Sequence, residues 1–262
     1  MDCFDKKQPN KKFPRFKKKG QGDSFRSEHA IAQPIHNSKS IVGIDVGIAR
    51  FATLSTGNFF PARNYFRKLA SKLSRAQKAL SRKIKFSNNW HKQKKKIQNI
   101  HAKIANSRRD RLHWCSHQIS QNHAIIVMEN LKVSNMSKSA KGDMDTPGKC
   151  VKAKSGLNKS ILDQGWYEFR SQLEYKQRWR GGEVLVVNPK NTSRTCPNTA
   201  CRHTSKANRK SQSEFKCECC GYTNNADVVG AINVLRAGHA QLACGDIESI
   251  SNQAQEPLKN IA

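Results

Sequence analysis

Four cysteines in the sequence have the side-chain type and spacing of a metal site. Cys217 and Cys220 are separated by two residues in FKCECCGYTNN, and Gly221 follows where a knuckle needs a tight turn. Cys196 and Cys201, in CPNTAC, supply two more thiols. Tetrahedral Zn²⁺ is commonly held by four thiolates from two knuckles that a turn brings together. The spacing therefore predicts a structural zinc site.

Two nearby residues are alternative zinc ligands. Cys219 is a spare thiol, although adjacent Cys219 and Cys220 are not easily directed at one ion together. His203 is a possible substitute, but a lone histidine in such a place is more often a surface residue or a phosphate contact. The other cysteines have no partner spacing and are interpreted as ordinary residues: Cys3, Cys115, Cys150 and Cys244. The four-thiolate set is preferred.

Three acids stand beside apolar runs in a chain that is poor in acids. Asp45 lies within SIVGIDVG, Glu129 ends the run HAIIVME, and Asp227 opens DVVGAINVLRAG. Asp45 shares a strand face with Gly43 and Gly47, so we expect open space around its carboxylate. Glu129 is expected at the carboxyl edge of a sheet, and Asp227 at the start of the last helix.

Carboxylates that cluster repel and raise one another's pKa unless a cation lies between them. Two Mg²⁺ ions ~4 Å apart would remove that repulsion, activate a water and stabilise the leaving oxygen of a phosphodiester. Each acid also has an ordinary interpretation. Asp45 could be a turn residue, Glu129 a surface acid on an edge strand, and Asp227 a helix N-cap. Taken together, the three ordinary interpretations are weaker than the catalytic one, because an acid that interrupts an apolar run costs free energy.

The elements that must position these residues can be predicted from periodicity. Alternating apolar residues over 42–46 indicate a strand, and residues 51–55 and 58–60 indicate two more. The three strands are expected to pair antiparallel at the start of the sheet. Helical stripes over 63–122 indicate a hairpin of two helices, with Ile84 on the first stripe. After the hairpin the sequence predicts five further elements: a strand ending at Glu129, a polar loop or linker over 136–158, a helix over 161–180, the strand EVLVVNP and a helix ended by Gly238. This order is typical of an α/β ribonuclease H-like layout, with a mixed central sheet and acids at strand ends.

The charge of the chain indicates a polyanionic partner. It carries 48 Lys+Arg against 19 Asp+Glu, a formal net charge of +29, with a pI near 10.1. Nucleic acid is the commonest such partner, and an anionic membrane surface is the rival. No apolar run reaches the ~18 residues of a bilayer span, and the first residues lack the apolar segment of a signal peptide. We therefore predict no membrane partner, reduced cysteines and a cytoplasmic, nucleoid-associated protein.

Residues 63–111 hold 17 of the basic residues and a single acid, Asp110. A solvated helix face usually mixes both signs, because like charges at i,i+4 repel. A face that contacts phosphates is the preferred interpretation over a merely solvated one. The predicted nucleic-acid contacts on this hairpin are Lys78, Arg82, Lys92, Lys94, Lys95, Arg108 and Arg109.

Several segments together resemble a known family. Four segments resemble the RuvC-type nuclease core of TnpB: GIDVGIARFATLS, IVMENLKVSNM, GLNKSILDQGWYEFRSQLEYKQRWRGGEVLVVNP and SEFKCECCGYTNNADVVGAINVLRAG. TnpB is the OrfB-type protein of small insertion sequences and a relative of the type V CRISPR effectors. The resemblance implies an RNA-guided, Mg²⁺-dependent DNA endonuclease, associated with transposition and with a guide RNA from the element. It places the family's three acidic positions at Asp45, Glu129 and Asp227. The family usually has two residues between the first cysteine pair, whereas this sequence has four.

These observations predict a division of the chain. Residues 1–40 form a basic arm, and 41–190 form a RuvC-like core that contains the basic hairpin 63–122. Residues 191–224 form a zinc-ribbon insertion, 225–238 the last core helix, and 239–262 a flexible tail. The family's recognition machinery precedes the first acid, and only 44 residues precede Asp45 here. We therefore expect a shortened copy that is poor at guide-programmed cleavage. The alternative is a compact variant whose arm holds RNA with Lys17, Lys18 and Lys19.

Three functions are consistent with these sequence features. The preferred one is a TnpB-type nuclease, and the second is a non-catalytic zinc-ribbon protein that binds nucleic acid without cutting it. A pure binder has no need of carboxylates in a basic groove, where they oppose phosphate. The third, a transposase that joins strands, would use the same acids and metals, so the sequence does not separate it from the first.

Overall fold

The computed structural model describes residues 35–143 and 146–245. Lys17, Lys18 and Lys19, the arm to which they belong and most of the predicted tail lie outside the described residues. Seven strands and six α-helices occupy the described part, in the order β1 (Ile41–Val46), β2 (Arg50–Leu54), β3 (Phe59–Pro61), α1 (Tyr65–Ser81), α2 (Asn88–Asn122), β4 (Ile125–Glu129), α3 (Val133–Met136), α4 (Val151–Gln164), α5 (Trp166–Arg180), β5 (Glu183–Val187), β6 (Glu214–Lys216), β7 (Thr223–Asn225) and α6 (Ala226–Ala243).

Five of the strands form a mixed sheet in the order β3-β2-β1-β4-β5. β1, β2 and β3 pair antiparallel, which confirms the predicted three-stranded start. β4 lies parallel to β1 on one side and to β5 on the other. The carboxyl ends of β1, β4 and β5 therefore meet at one edge of the sheet. The predicted mixed α/β character is confirmed.

Helices cover both faces of this sheet. Val42 and Ile44 of β1 point to a buried cluster with Leu112 and Ile119 of α2 and Phe169 of α5. The alternate residues of the strands face α6. Val127 of β4 and Leu185 of β5 pack there against Val234. Because side chains alternate along a strand, Asp45 and Glu129 belong to the α6 side.

Gly43 lets α6 lie directly on β1. A Cβ atom on Gly43 would lie 2.2 Å from the carbonyl oxygen of Ala231 and 2.6 Å from the backbone nitrogen of Leu235. The expectation that Gly43 leaves open space beside Asp45 is therefore wrong. The space that its missing side chain leaves is filled by the backbone of α6, a contact between elements far apart in sequence.

Helix α1 packs against α2, as the change of period predicts, through buried Leu73, Ile100 and Ile104. The assignment of Ile84 to the first helical stripe is wrong. α1 ends at Ser81, and Ile84 lies in the connecting turn with 83% of its surface exposed. The core beneath α1 ends before the turn, so nothing on the hairpin buries this side chain.

Two further helix boundaries differ from the prediction. The stretch expected as a loop over 136–158 already contains the first turns of α4, and Gly165, at φ +70, separates α4 from α5. Gly238 does not end the last helix, which continues to Ala243. A Cβ on Gly238 would lie 2.5 Å from Cγ2 of Val127, so this glycine serves close packing of α6 on the sheet. An interpretation based on composition takes such a glycine for a helix stop.

Candidate active site and metal centre

The three predicted acids lie at one edge of the sheet. Ile44 pairs with Met128 across parallel strands β1 and β4, so Asp45 and Glu129 occupy the next positions of the two strands. Asp227 lies in the first turn of α6, the helix that covers this face. The charges of Glu129 and Asp227 both act on Asp45 and raise its pKa. The fold thus brings together three carboxylates that are 84 and 98 residues apart in sequence.

Asp45 is the most enclosed of the three. Burial, reinforced by the charges of Glu129 and Asp227, raises its pKa from 3.8 to about 8. The guanidinium of Arg209 opposes this rise. Gly230 of α6 packs against the carboxylate, since a Cβ there would lie 2.7 Å from Oδ2 of Asp45. Burial and the two neighbouring carboxylates therefore disfavour the ionised form of Asp45 when no cation lies between them.

Glu129 is held by a short network that the sequence pattern does not reveal. Its Oε1 accepts a hydrogen bond from the hydroxyl of Thr192 at 2.5 Å. Asn233 of α6 donates to the carbonyl oxygens of Thr192 at 2.8 Å and Thr195 at 2.7 Å, which fixes the segment after β5. Burial raises the pKa of Glu129, while the Thr192 hydroxyl lowers it. Since β4 lies between β1 and β5, the alternative of an edge-strand acid is wrong for Glu129.

Asp227 is not the N-cap of α6, which was the alternative interpretation of this residue. The N-cap of α6 is Asn225, whose side-chain oxygen accepts from the backbone N–H of Asp227 at 3.1 Å. The carboxylate of Asp227 faces Arg209, with 3.9 Å between Oδ1 and Nη2. Arg209 also donates to the carbonyl oxygen of Gln212 at 3.1 Å. Sequence reasoning missed Arg209 because it comes from the cysteine-containing segment and not from the sheet.

A groove of about 660 Å³ opens beside Glu129. Its walls carry two basic side chains, Lys132 and Arg170, and the exposed ring of Tyr167, of which 80% is accessible. Arg170 forms an ion pair with Glu174 at 2.7 Å and donates to Oδ1 of Asn130 at 3.4 Å.

The four predicted cysteine ligands come together in a second site. The sulfur atoms of Cys196, Cys201, Cys217 and Cys220 all lie within 4.8 Å of one another. Within residues 35–143 and 146–245 no other set of three or more potential ligands is as closely grouped, and the three carboxylates are not. Cys219 and His203 lie outside the set. The cluster could hold one metal ion.

The local structure explains how two unequal knuckles converge. Gly221, at φ +71, returns its N–H to the carbonyl oxygen of Cys217 at 3.0 Å, which closes the second knuckle. In the first, the N–H of Cys201 donates to the carbonyl of Asn198 and the N–H of Cys196 to the carbonyl of His203. The longer spacer thus folds into a turn. Cys196 and Cys217 are buried with Phe215, Ala226 and Val229, which joins the cluster to the first turns of α6.

The predicted phosphate contacts on the helical hairpin divide into two groups. Five are exposed and form no ion pair within the described residues: Lys78, Arg82, Lys92, Lys94 and Lys95. Arg108 lies 3.9 Å from buried Asp163, and Arg109 lies 3.2 Å from Glu168. These ion pairs join α2 to α4 and α5, so both arginines also have a structural role. None of the helices in the two described ranges is long and apolar enough to cross a membrane.

Two family models match separate parts of the chain. The family model OrfB_IS605, described as "Probable transposase", matches residues 23–140. The model "Cas12f1-like, TNB domain" matches residues 166–234, the range from α5 to α6 that includes all four cysteines and Asp227.

Individual proteins are similar over most of the chain. "Putative RNA-guided DNA endonuclease InsQ" of Escherichia coli (strain K12) is 58% identical over 91% of this chain and 59% of its own length. A "Putative RNA-guided DNA endonuclease" of Streptomyces pristinaespiralis is 34% identical over 81% of this chain and 49% of its own length. The solved "Cryo-EM structure of the Cas12f1-sgRNA-target DNA complex" has a TM-score of 0.49 and 22% identity, covering 74% of this chain and 49% of that one.

The fold and the sites define a mixed α/β protein with a carboxylate cluster at the sheet edge and a thiol cluster beside it. The sequence matches extend through both. The chain belongs to the TnpB family of OrfB-type proteins, as the sequence motifs predict. It spans about half to three fifths of the length of the two relatives named above.

Proposed function

We propose that this chain is a metal-dependent nuclease that hydrolyses phosphodiester bonds of DNA at the cluster of Asp45, Glu129 and Asp227. The proposal rests above all on the adjacency of Asp45 and Glu129 on parallel strands, with Asp227 covering them from α6. A protein that only binds nucleic acid gains nothing from three carboxylates brought together in a basic chain, because they oppose the approach of phosphate. The fold proposed for this site is ribonuclease H-like, of the RuvC type. In it, α1 and α2 form a hairpin insertion and residues 191–224 form a zinc-ribbon insertion.

We propose that the carboxylates hold two Mg²⁺ ions, although their oxygens are less closely grouped than the four cysteine sulfurs. Mg²⁺ prefers carboxylate oxygens in an incomplete protein shell that leaves room for water and phosphate. Burial and the neighbouring acids raise the pKa of Asp45, and a cation among the three groups would remove this cost. When bound, such ions supply an acidified water and charge stabilisation at phosphorus.

The protein's own groups act around that centre. Thr192 fixes the direction of the Glu129 carboxylate through its hydrogen bond. Arg209, beside Asp227, is a further cation that can approach a phosphate oxygen at the open side of the cluster. Lys132 and Arg170 attract the phosphates of a strand that enters the groove, and Tyr167 offers a ring to one of its bases.

The cysteine cluster is proposed to hold one Zn²⁺ ion. Four thiolates are the donor set of a closed structural zinc site, and the sulfur atoms are already close enough for tetrahedral binding. The cluster lies against the first turns of α6. The ion would therefore stabilise the segment that carries both Arg209 and Asp227.

The partners are proposed to be DNA and a guide RNA from the transposable element. The names of the relatives quoted above describe them as RNA-guided DNA endonucleases. The exposed lysines and arginines of the hairpin provide a basic face on which phosphates can bind.

The test is cleavage of plasmid DNA by the zinc-loaded protein, purified with any RNA that accompanies it, in Mg²⁺ or in Ca²⁺. Asp45→Ala, Glu129→Ala and Asp227→Ala should each abolish Mg²⁺-dependent cleavage and leave DNA binding intact or slightly tighter, because a negative charge is removed. Glu214→Ala, at an exposed acid of β6, is the matched control and should cleave normally. Undiminished cleavage by any one variant would show that its carboxylate is not catalytic, and no Mg²⁺-dependent cleavage by the original protein would favour a binding role.

A further inference from the structure

The turn between α1 and α2 exposes an aromatic surface that the proposed active site does not use. Phe86 is 74% exposed and Ile84 is 83% exposed. The ring of Phe86 lies 5.4 Å from that of Trp90, and Trp90 lies 5.1 Å from the ring of His91. We call Phe86, Trp90 and His91 the hairpin-tip platform.

The backbone of this turn does not favour a phenylalanine. Phe86 has a φ of +66°, in the left-handed region that glycine and asparagine adopt most easily. The turn itself is made by Ser87, whose N–H and hydroxyl both donate to the carbonyl oxygen of Ile84. The hydroxyl oxygen of Ser87 also accepts from the N–H of Trp90 and caps α2. The Phe86 ring is therefore not needed to form the turn, although its exposure and its backbone both cost free energy.

The charge around the platform identifies what could cover it. Residues 82–96 contain seven lysines and arginines and no acid. The ammonium group of Lys94 lies 5.0 Å from the centre of the Trp90 ring. An apolar protein surface or a second copy of this chain would leave these charges unpaired or opposed. Stacked bases with phosphates on either side complement both the rings and the cations.

We propose that the hairpin-tip platform binds an unpaired or terminal nucleobase of a nucleic-acid strand by stacking on Phe86 and Trp90. The neighbouring lysines hold the phosphates of the same strand. A base within a continuous duplex has no free face, so the platform selects single-stranded segments and helix ends. The inference rests on the proposed nucleic-acid binding of the hairpin but not on cleavage at the carboxylates.

The test uses the zinc-loaded full chain without Mg²⁺ and a short single strand that carries the fluorescent base 2-aminopurine. The strand is prepared as DNA and as RNA, and a continuous duplex with the same base inside is the comparison. Phe86→Ala and Trp90→Ala should each weaken single-strand binding on the order of tenfold and remove the fluorescence quenching that stacking causes. The salt dependence should not change, because both variants keep every charge. The DNA and RNA arms show which strand is preferred, and a preference for either supports the proposal.

Two further variants separate stacking from folding. Phe86→Gly relieves the left-handed backbone, so its Tm should equal or exceed that of the original protein while the quenching is still abolished. Trp179→Ala removes another exposed tryptophan, 72% accessible on α5, and should leave single-strand binding unchanged. A lower Tm for Phe86→Gly would show that the ring is part of the fold and would overturn the proposal. So would self-association that disappears in Phe86→Ala.

A separate measurement tests the assumption that the hairpin binds nucleic acid. Replacing Lys92 and Lys95 together by Gln should reduce the slope of log Kd against log salt by about 0.7 for each phosphate that the variant no longer binds. If that slope does not change, the hairpin does not bind phosphates and the nucleic-acid role of this face is wrong. If it falls while quenching persists in both Phe86→Ala and Trp90→Ala, only the stacking inference is wrong.

Discussion

The hydroxyl of Thr192 donates to Oε1 of Glu129 at 2.5 Å, across 63 residues of sequence. Thr192 follows β5, and its carbonyl oxygen accepts from Asn233 of α6 at 2.8 Å. The orientation of one carboxylate in the candidate active site is thus set jointly by β4, β5 and α6.

Replacing Thr192 by Val should impair the proposed cleavage without unfolding the protein. Valine keeps the volume but removes a hydrogen bond to a carboxylate, which contributes about 1.5–3 kcal/mol when the group is charged. The pKa of Glu129 should rise further, so the cleavage rate should fall about tenfold at neutral pH and recover partly at higher pH. The measurement is the pH profile of cleavage, and Thr192→Ser is the control that should behave normally. A valine variant with an unchanged profile would show that Glu129 does not depend on this bond.

Gly230→Ala should damage the site more than the fold. The new Cβ would lie 2.7 Å from Oδ2 of Asp45, the end of a side chain that can rotate away, whereas alanine also favours helix by up to about 1 kcal/mol. We expect a small change in Tm and at least about a tenfold loss of Mg²⁺-dependent cleavage. Gly156→Ala in α4 is the matched control, because a Cβ there meets nothing within 4 Å. Full cleavage by Gly230→Ala would mean that Asp45 does not need its observed position.

Without Mg²⁺, the free energy of unfolding should depend on pH through Asp45. Burial and the neighbouring acids raise its pKa from 3.8 to about 8 in the folded protein. Between about pH 4 and pH 8 the folded protein therefore keeps a proton that the unfolded chain has released, so the free energy of unfolding falls as the pH rises. The raised pKa of Glu129 acts in the same direction.

Asp45→Asn should remove most of this dependence. At pH 8 in Mg²⁺-free buffer the variant should be more stable than the original protein by on the order of 5 kcal/mol, because each pKa unit corresponds to about 1.4 kcal/mol, and near pH 4 the two should agree. Urea denaturation of the zinc-loaded protein measures this, with exposed Asp110→Asn as the control. Parallel stability curves for the original protein and Asp45→Asn would contradict the raised pKa.

The zinc-ribbon proposal predicts about one Zn²⁺ ion per chain by elemental analysis. Cys217→Ser should lose the ion and cost several kcal/mol of stability, because a buried thiolate ligand is removed beside Phe215 and Val229. Cleavage should fall as well, since the same segment carries Arg209 and leads to Asp227. Cys219→Ser is the control, because Cys219 is exposed and outside the sulfur cluster. Loss of zinc in Cys219→Ser would show that the ligand set is wrong.

Short-range patterns make much of this molecule predictable. Two-residue alternation places Asp45 and Glu129 on defined faces of β1 and β4, because successive side chains in a strand point in opposite directions. Cys217, Cys220 and Gly221 form a knuckle within a few residues, so their geometry needs little help from the remaining chain. The composition-based boundaries are less successful at Ile84 and Gly238, where packing rather than propensity decides whether a residue belongs to a helix.

The sequence by itself determined which acids and thiols were available, the strands that carry Asp45 and Glu129, and the family to which the chain belongs. Only the tertiary structure decided that Gly43 and Gly230 let α6 approach the sheet, that Thr192 and Asn233 hold Glu129, and that Arg209 faces Asp227. Each of these contacts joins residues from elements that are distant in sequence. Periodicity and spacing report the neighbours along the chain, whereas close approach and hydrogen bonding depend on how separate elements pack against one another.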